Sequence, residues 1–307
     1  MAAEKQCDVV IVGGGVAGTS CALECFDVRL DTVVYEANAA VGGQIAQIPH
    51  SVRNVLAWRF EAGVPVSRAV EESVAILGDR LRVSERVIRV DLAEHWVEVD
   101  TTRVHARAIV LATGTRRQEL PAAPDGAFGG DVSYLVESRA EHFTGRDVVV
   151  VGGGDSATLD ALELAAAGST VTLVHRGERL SARDDIIERV RAETRIHDLP
   201  GWEVDSLQGG ARLETVVLRA TDGRRLRVPA GGLVVKIGRV PRAELFRGQL
   251  DLDGRGAIVV DADLRTSQPG VFAVGDVTAE AYPRIAVASG SGVLAARSVL
   301  RYLLGRQ

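Results

Sequence analysis

Two glycine-rich loops carry the chemistry that residue type and spacing announce directly. DVVIVGGGVAG (residues 8–18) sets Gly13, Gly15 and Gly18 in a G-x-G-x-x-G fingerprint. The first glycine permits a tight turn, the second lets a pyrophosphate approach the backbone, and the third lets helix and strand pack closely. Glu36 ends the next apolar run, about 20 residues on, where an acid accepts hydrogen bonds from an adenosine ribose. VVVVGGGDSA (residues 148–157) repeats the pattern with Gly152, Gly154 and Ala157, and Asp155 and Ser156 open the helix that would face a second pyrophosphate. After its returning strand stands His175-Arg176 instead of an acid, and a cation there suits the 2′-phosphate of NADPH. Alone, either loop says only that a dinucleotide binds. The three cysteines are Cys7, Cys21 and Cys25. The last two share one helix face, too rigidly held for an easy disulfide, and zinc would need two more ligands. They read as buried structural thiols.

The elements that position these loops form two strand–loop–helix–strand crossovers, over residues 8–36 and 147–176. Such crossovers imply parallel sheets with helices on their faces. Residues 81–119 alternate as a short antiparallel insertion. A second strand-rich stretch, ETVVLRATDGRRLRVPAGGLVVKIG, follows the second crossover, with Asp222-Gly223 as a hairpin turn. LAARSVLRYLLG reads as an amphipathic final helix. The expected class is α/β, with two Rossmann-like, three-layer (ββα) dinucleotide-binding domains. At 307 residues the chain can bury two cores. A net charge of −5 gives no reason to expect nucleic acid or an anionic membrane as partner. The start, MAAEKQCDVVIVGGG, has no basic leader, and no apolar run reaches about 18 residues. A cytoplasmic protein is expected.

Further segments, in order and spacing, narrow the reading: Gly42-Gly43-Gln44, Asn54, Val87, Ala112-Thr113-Gly114, TSQPGVFAVGDV (residues 266–277) and AYPRIAVASGSG (residues 281–292). With them the chain resembles, along nearly its whole length, the low-molecular-weight thioredoxin reductases of the class II pyridine nucleotide-disulfide oxidoreductases. The resemblance implies FAD on the first loop, contacted by Gly13, Gly15, Ala17, Gly18, Glu36, Gly43, Gln44, Asn54, Val87, Ala112, Thr113, Gly114, Gly275, Asp276, Arg284 and Ile285. Asp276 would meet the ribityl chain, and a helix N-terminus near Ile285 would face the flavin N1–C2=O edge, favouring the anionic reduced form. Arg284 takes the place of the family's Gln. Either its guanidinium adds to that stabilisation or it is a surface arginine paired with a carboxylate. Residues 1–115 and 245–307 would form the FAD domain, residues 116–244 the inserted nicotinamide domain, and a homodimer is expected.

Three departures from the family stand out. VSYLVESRAEHF (residues 132–143) aligns without a gap to VSYCATCDG, placing Leu135 and Ser138 where the redox cysteines belong. Neither can exchange a disulfide, which requires a thiolate. Leu135, Glu137, Ser138, Arg139 and His142 would then lie near the flavin, with Ser138, Arg139, His142 and Arg284 the candidate catalytic residues. Arg139 replaces the family's proton-donating Asp. His142 is either a general acid–base or a satisfied polar residue at a helix start. Second, HRGERLSAR has Gly177 and Ser181 where the family has arginines. Either Arg179 or Arg183 compensates, keeping NADPH ahead of NADH, or the site is degenerate. Third, Lys236 interrupts an apolar strand, reaching toward the flavin or snorkelling to solvent. The stretch 45–58 would carry His50, Arg53 and Trp58 past the flavin.

The leading expectation is an FAD oxidoreductase acting on a small organic substrate, of the kind handled by tailoring enzymes of secondary metabolism. The alternatives are redox-neutral isomerisation or cyclisation of a polyunsaturated metabolite, and electron transfer to a ferredoxin-type partner. The acidic charge and the end at Gln307 directly after the last helix count against the last.

Overall fold

The computed structural model describes residues 3–47, 52–56, 58–60, 63–136, 140–279 and 281–305. The chain divides into two units, one of Met1–Arg116 with Val240–Gln307 and the other of Arg117–Arg239. Residues 240–244 therefore fall in the first unit.

In the first unit the apolar strand Ala3–Val12 lies between Thr32–Tyr35 and Thr102–Leu111, both parallel to it. Alternate residues of this strand enter opposite cores. Val9 and Ile11 join the helix-side cluster with Cys21, Cys25, Ala295 and Val299, while Val10 and Val12 join Leu92, Val97, Phe246 and Ile258. A strand buried on both faces reads as a continuous apolar run, as this one does. Thr102–Leu111 belongs to two layers. Its first half pairs antiparallel with Trp96–Val99, and its last three residues pair parallel with Val271–Ala273. The antiparallel insertion thus grows out of the parallel sheet along one long strand.

The second unit repeats the plan. Val132–Ser133, Gly232–Val235, Asp147–Val151, Thr170–His175 and Ile196–Pro200 form a parallel sheet in that order. Val149 and Val151 face a cluster with Val216 and Leu218, while Val148 and Val150 face Ala157, Ala161 and Leu164 of the helix Asp155–Ala166. Trp202–Gly209, Leu213–Ala220 and Arg225–Pro229 make a three-stranded antiparallel layer. Its second turn uses Gly223 at φ +85. The α/β class with Rossmann-like units is what the fold shows.

In the first unit the helices Val16–Asp27 and Ile285–Leu303 pack tightly. A Cβ on Gly292 would lie 2.2 Å from the Ala17 carbonyl oxygen and 2.9 Å from the Cys21 nitrogen, and Ser20 and Ser289 share a 3.0 Å hydrogen bond across the seam. The helix carrying the first loop is therefore seated on the terminal helix through a small-residue contact. Gly292→Val is expected to cost about 1–3 kcal/mol by overpacking, read as a lower urea midpoint with an unchanged m-value. A midpoint equal to wild type would show that the two helices separate freely.

Candidate dinucleotide-binding sites

The first loop leaves its strand through Gly13 at φ +111, where a Cβ would also sit 2.4 Å from the Ala112 carbonyl oxygen. Only glycine satisfies both conditions. Gly18 closes the turn from beneath, its absent Cβ directed at the Gly13 carbonyl and 3.1 Å from Ala112 Cβ. In front of Gly15, by contrast, a Cβ would meet nothing within 4 Å. That open side is what an approaching pyrophosphate requires. Gly15 is the N-cap of Val16–Asp27 and gives no side-chain cap, so the helix's first N–H groups remain for an anion. Glu36 is buried. Its Oε2 accepts the Gly14 N–H at 2.7 Å, and its Oε1 accepts the Asn38 backbone and side-chain N–H at 2.8 and 2.6 Å. The carboxylate is fixed with lone pairs left for ribose hydroxyls.

Gln44 gathers the far end of the first site. Its Nε2 donates to Thr115 Oγ1 at 3.0 Å and to Asp276 Oδ2 at 3.5 Å. The one-turn helix Gly43–Gln47 reaches this point because Gly42 N–H donates to the Gly14 carbonyl at 2.9 Å and Gly43 sits against Gly15. Asp276 lies in the turn Gly275–Val277, whose Gly275 faces Ala17 and donates its N–H to Ser291 Oγ at 3.3 Å. Thr113 donates its hydroxyl to the Arg242 carbonyl at 2.6 Å, Gly114 faces Gln44, and Val87 is buried at the head of Val87–Asp91. The residues fit a dinucleotide of the FAD type: a cradle without side chains, an acid for the ribose and a polar cluster at the distal end. Arg284 is the N-cap of the terminal helix, whose first residue is Ile285. It is exposed and lies 4.4 Å over the Tyr282 ring, donating to Tyr282 Oη and the Pro283 carbonyl at 3.0 and 2.9 Å. Its partners among the described residues are the Tyr282 ring and hydroxyl and the Pro283 carbonyl.

The second loop has the same backbone. Gly152 has φ +138, and a Cβ there would lie 2.3 Å from the Lys236 carbonyl oxygen. Before Gly154 only Ser181 Oγ comes as near as 3.8 Å. Asp155 opens the helix and accepts from Arg183 N–H at 2.9 Å and Nε at 3.2 Å. Ser156 follows it on the exposed side, and Ala157 is buried beneath the loop. His175 is buried, with Nε2 2.9 Å from Asp198 Oδ1, whereas Arg176 and Arg179 are exposed. Arg183, engaged by Asp155 and Asp185, is not the free compensating cation that the sequence left open. Lys236 does not snorkel to solvent. It pairs with the buried Asp160 at 2.9 Å.

The residue that spacing alone did not reveal is Asp131, fully buried just before Val132–Ser133. It accepts from Arg212 Nε and Nη2 at 2.7 and 2.5 Å, Arg146 Nη1 at 3.0 Å and Leu213 N–H at 3.0 Å, and lies 2.8 Å from His142 Nε2. His142, in the short helix Ala140–Phe143, is thus held by a carboxylate, the satisfied-residue alternative. Residues His50, Glu137, Ser138 and Arg139, and the side chains of Arg53, Asn54 and Trp58, lie outside the described residues. Val52–Val55 pairs antiparallel with Trp58–Phe60. Among the described residues no cluster suits a metal ion, and no helix is long and apolar enough to cross a membrane.

Two dinucleotide cradles on one α/β chain, the first with an acid at the ribose position, define a two-nucleotide flavoprotein. The pyridine nucleotide-disulphide oxidoreductase family matches residues 7–292, and the chain belongs to that family. Membership implies FAD and a nicotinamide nucleotide. A thioredoxin reductase of Streptomyces clavuligerus is 33% identical over 96% of this chain and 94% of its own. A Clostridium pasteurianum protein, described as a 34.2 kDa protein in rubredoxin operon, is 28% identical over all of both chains. The Lactococcus lactis thioredoxin reductase structure superposes with a TM-score of 0.82 at 26% identity, over 97% of this chain and 99% of that one.

Burial pushes the Asp131 carboxyl up, but the hydrogen bonds from Arg212, Leu213 and His142 outweigh it and hold it down to about 2. A depressed carboxyl stabilises the fold above its unfolded value and loses that contribution as pH falls toward 2. About 2 kcal/mol should therefore disappear between about pH 4 and about pH 2. Asp131→Asn is expected to lose about 3 kcal/mol at neutral pH, leaving four cationic or polar partners without their anion, and to flatten that acid limb in urea titrations. An unchanged acid limb would remove Asp131 as its source.

Proposed function

We propose that this chain is a homodimeric FAD oxidoreductase, driven by a reduced nicotinamide nucleotide, that acts on a small organic molecule of the secondary-metabolite class and exchanges no disulfide. The observation that carries the last point is the state of its three thiols. Cys21 and Cys25 are wholly buried beneath the first loop, and Cys21, donating to Cys25 and shut from solvent, is held above the ordinary thiol range. Burial, reinforced by Asp31 and Asp8, pushes the Cys7 thiol up to about 12. The hydrogen bond from Cys21 holds the Cys25 thiol below its ordinary range, but its sulfur is enclosed. Exchange proceeds through an accessible thiolate, and none of the three supplies one. Leu135 and Ser138 supply no sulfur at all.

FAD, when bound, accepts hydride and passes electrons on. The chain's residues orient and tune. Gly13 and Gly18 shape the first loop, Glu36 binds ribose hydroxyls, and Gln44 and Asp276 hold the distal polar end. Arg284, fixed on Tyr282 at the terminal helix's N-cap, adds positive potential where that helix begins. A second reading, delivery of electrons to a small redox protein, is favoured by the rubredoxin-operon description of the Clostridium pasteurianum relative.

Anaerobic titration with NADH and NADPH is expected to bleach the bound flavin. Thioredoxin and small disulfides should give no turnover above free flavin, and thioredoxin turnover would end the disulfide-free reading. Turnover with rubredoxin would favour the second. Arg284→Gln is expected to lower the flavin potential by on the order of 10–20 mV, from about 0.5–1 kcal/mol of charge stabilisation.

A further inference from the structure

The two loops match position for position, Gly13, Gly15 and Gly18 against Gly152, Gly154 and Ala157. At that spacing Cys21 of the first helix corresponds to Asp160 of the second. Each lies three residues past the close-packed small residue and so on the same helix face. The strand ends correspond too, Ala112 beside Gly13 and Lys236 beside Gly152. In the first unit the terminal helix seats at this place: a Cβ on Gly292 would lie 2.9 Å from the Cys21 backbone nitrogen. In the second unit the same place holds an ion pair. Lys236 Nζ lies 2.9 Å from Asp160 Oδ2, with the two side chains only 14% and 7% exposed.

Stability does not account for that pair. Desolvating two charges cancels most of their attraction, and apolar side chains of similar volume serve a core as well or better. Coding habit does not account for it either, since Lys5 and Lys236 are the only lysines among 36 cations. What the pair fixes is geometry. Lys236 is joined to the loop region in three ways: its N–H donates to the Val151 carbonyl at 2.7 Å, its own carbonyl oxygen lies 2.3 Å from where a Cβ on Gly152 would be, and its side chain holds the helix. Ala157 packs at the same turn, 3.0 Å from that Cβ position, and Asp160 follows on its face. The strand Asp147–Val151 has Gly232–Val235 on one side and Thr170–His175, which its own helix leads to, on the other. The strand order therefore reverses between Gly152 and Lys236, and such a crevice is where an open α/β sheet takes its ligand.

We propose that Lys236 and Asp160 are positioning residues of the second loop, whose ion pair braces the helix Asp155–Ala166 against the strand end and so aims its first N–H groups at a ligand diphosphate. This rests on the second loop holding a nicotinamide nucleotide. Neither side chain has to touch that ligand. The helix has no side-chain cap at Gly154, so its leading N–H groups are directed by the helix axis alone. Hydrogen bonds to phosphate weaken steeply once donor and acceptor leave about 2.7–3.2 Å, so a small swing of that axis about Ala157 loses several at once.

The test replaces the pair with apolar side chains, Lys236→Met together with Asp160→Leu, in the FAD-loaded protein. Two quantities are read: the urea midpoint, and calorimetric binding of ADP-ribose and 2′-phospho-ADP-ribose, which lack nicotinamide and report no redox step. The midpoint should be no lower than wild type, while the fragment that wild type prefers should bind about tenfold more weakly. Wild-type affinity in the folded double variant would overturn the proposal, and a midpoint that falls in step with affinity would reduce the pair to core support. Lys236→Gln, which keeps a donor but loses the charge and some reach, decides the matter where the double variant does not fold. Its affinity should be about threefold weaker, and an unchanged value would overturn the role. Wild type that binds neither fragment would defeat the nucleotide reading itself, and this role with it.

Discussion

Two backbone carbonyls constrain everything that the loops do. The Ala112 oxygen presses against Gly13, and the Lys236 oxygen presses against Gly152. Each belongs to the residue that follows a strand paired in parallel with the loop's own strand, in the registers Val12↔Leu111 and Val151↔Val235. Each of these residues also returns a hydrogen bond, Ala112 N–H to Val12 and Lys236 N–H to Val151, at 2.8 and 2.7 Å. A slip of one residue would move the carbonyl by about 3.3 Å and exchange the faces of the strand. Sheet register and loop shape are therefore one constraint, satisfied independently in two units.

On that shared backbone the electrostatics diverge. The first loop ends against a buried carboxylate held by three donors, and its helix begins with Val16. The second ends against a buried imidazole tied to Asp198, and its helix begins with Asp155, whose charge Arg183 offsets. A carboxylate at a helix N-terminus competes with a ligand anion for the same N–H groups. Engaging Asp155 with Arg183 reduces that competition and at the same time removes Arg183 from the pool of cations near the ribose. One ion pair thus sets both the charge at that helix start and the partner of Arg183.

The class of fold was legible because apolar runs of strand length, broken by glycine and followed by helix-permissive residues, are local patterns. Gly13 and Gly152 were legible as turn residues for the same reason. What escaped was long-range polar pairing. Asp131 meets Arg212 across 81 residues of sequence, and His175 meets Asp198 across 23. Nothing in the spacing of either partner foretells the other. Lys236 was visible as a charge inside an apolar strand, but its partner Asp160, on the neighbouring helix, was not. Arg284 stacks on Tyr282 two residues back, a contact its spacing did not announce, because the extended N-cap backbone turns its side chain onto the preceding ring.

The described residues on either side of the position that carries a dithiol in a reductase are packed into the core. Val136 and Phe143 are fully buried, and Ser133 Oγ closes a small turn with both the N–H and the carbonyl of Leu135. Asp131 before the segment is joined to His142 and Arg146 after it, and all three converge with Arg212 from the antiparallel layer. A redox dithiol must be reached by an attacking thiolate and must tolerate the geometry of a mixed disulfide. Leu135 and Ser138 offer no sulfur for either step. What the described flanks of the segment provide instead is core packing and a polar knot that ties Asp131 to His142, Arg146 and Arg212.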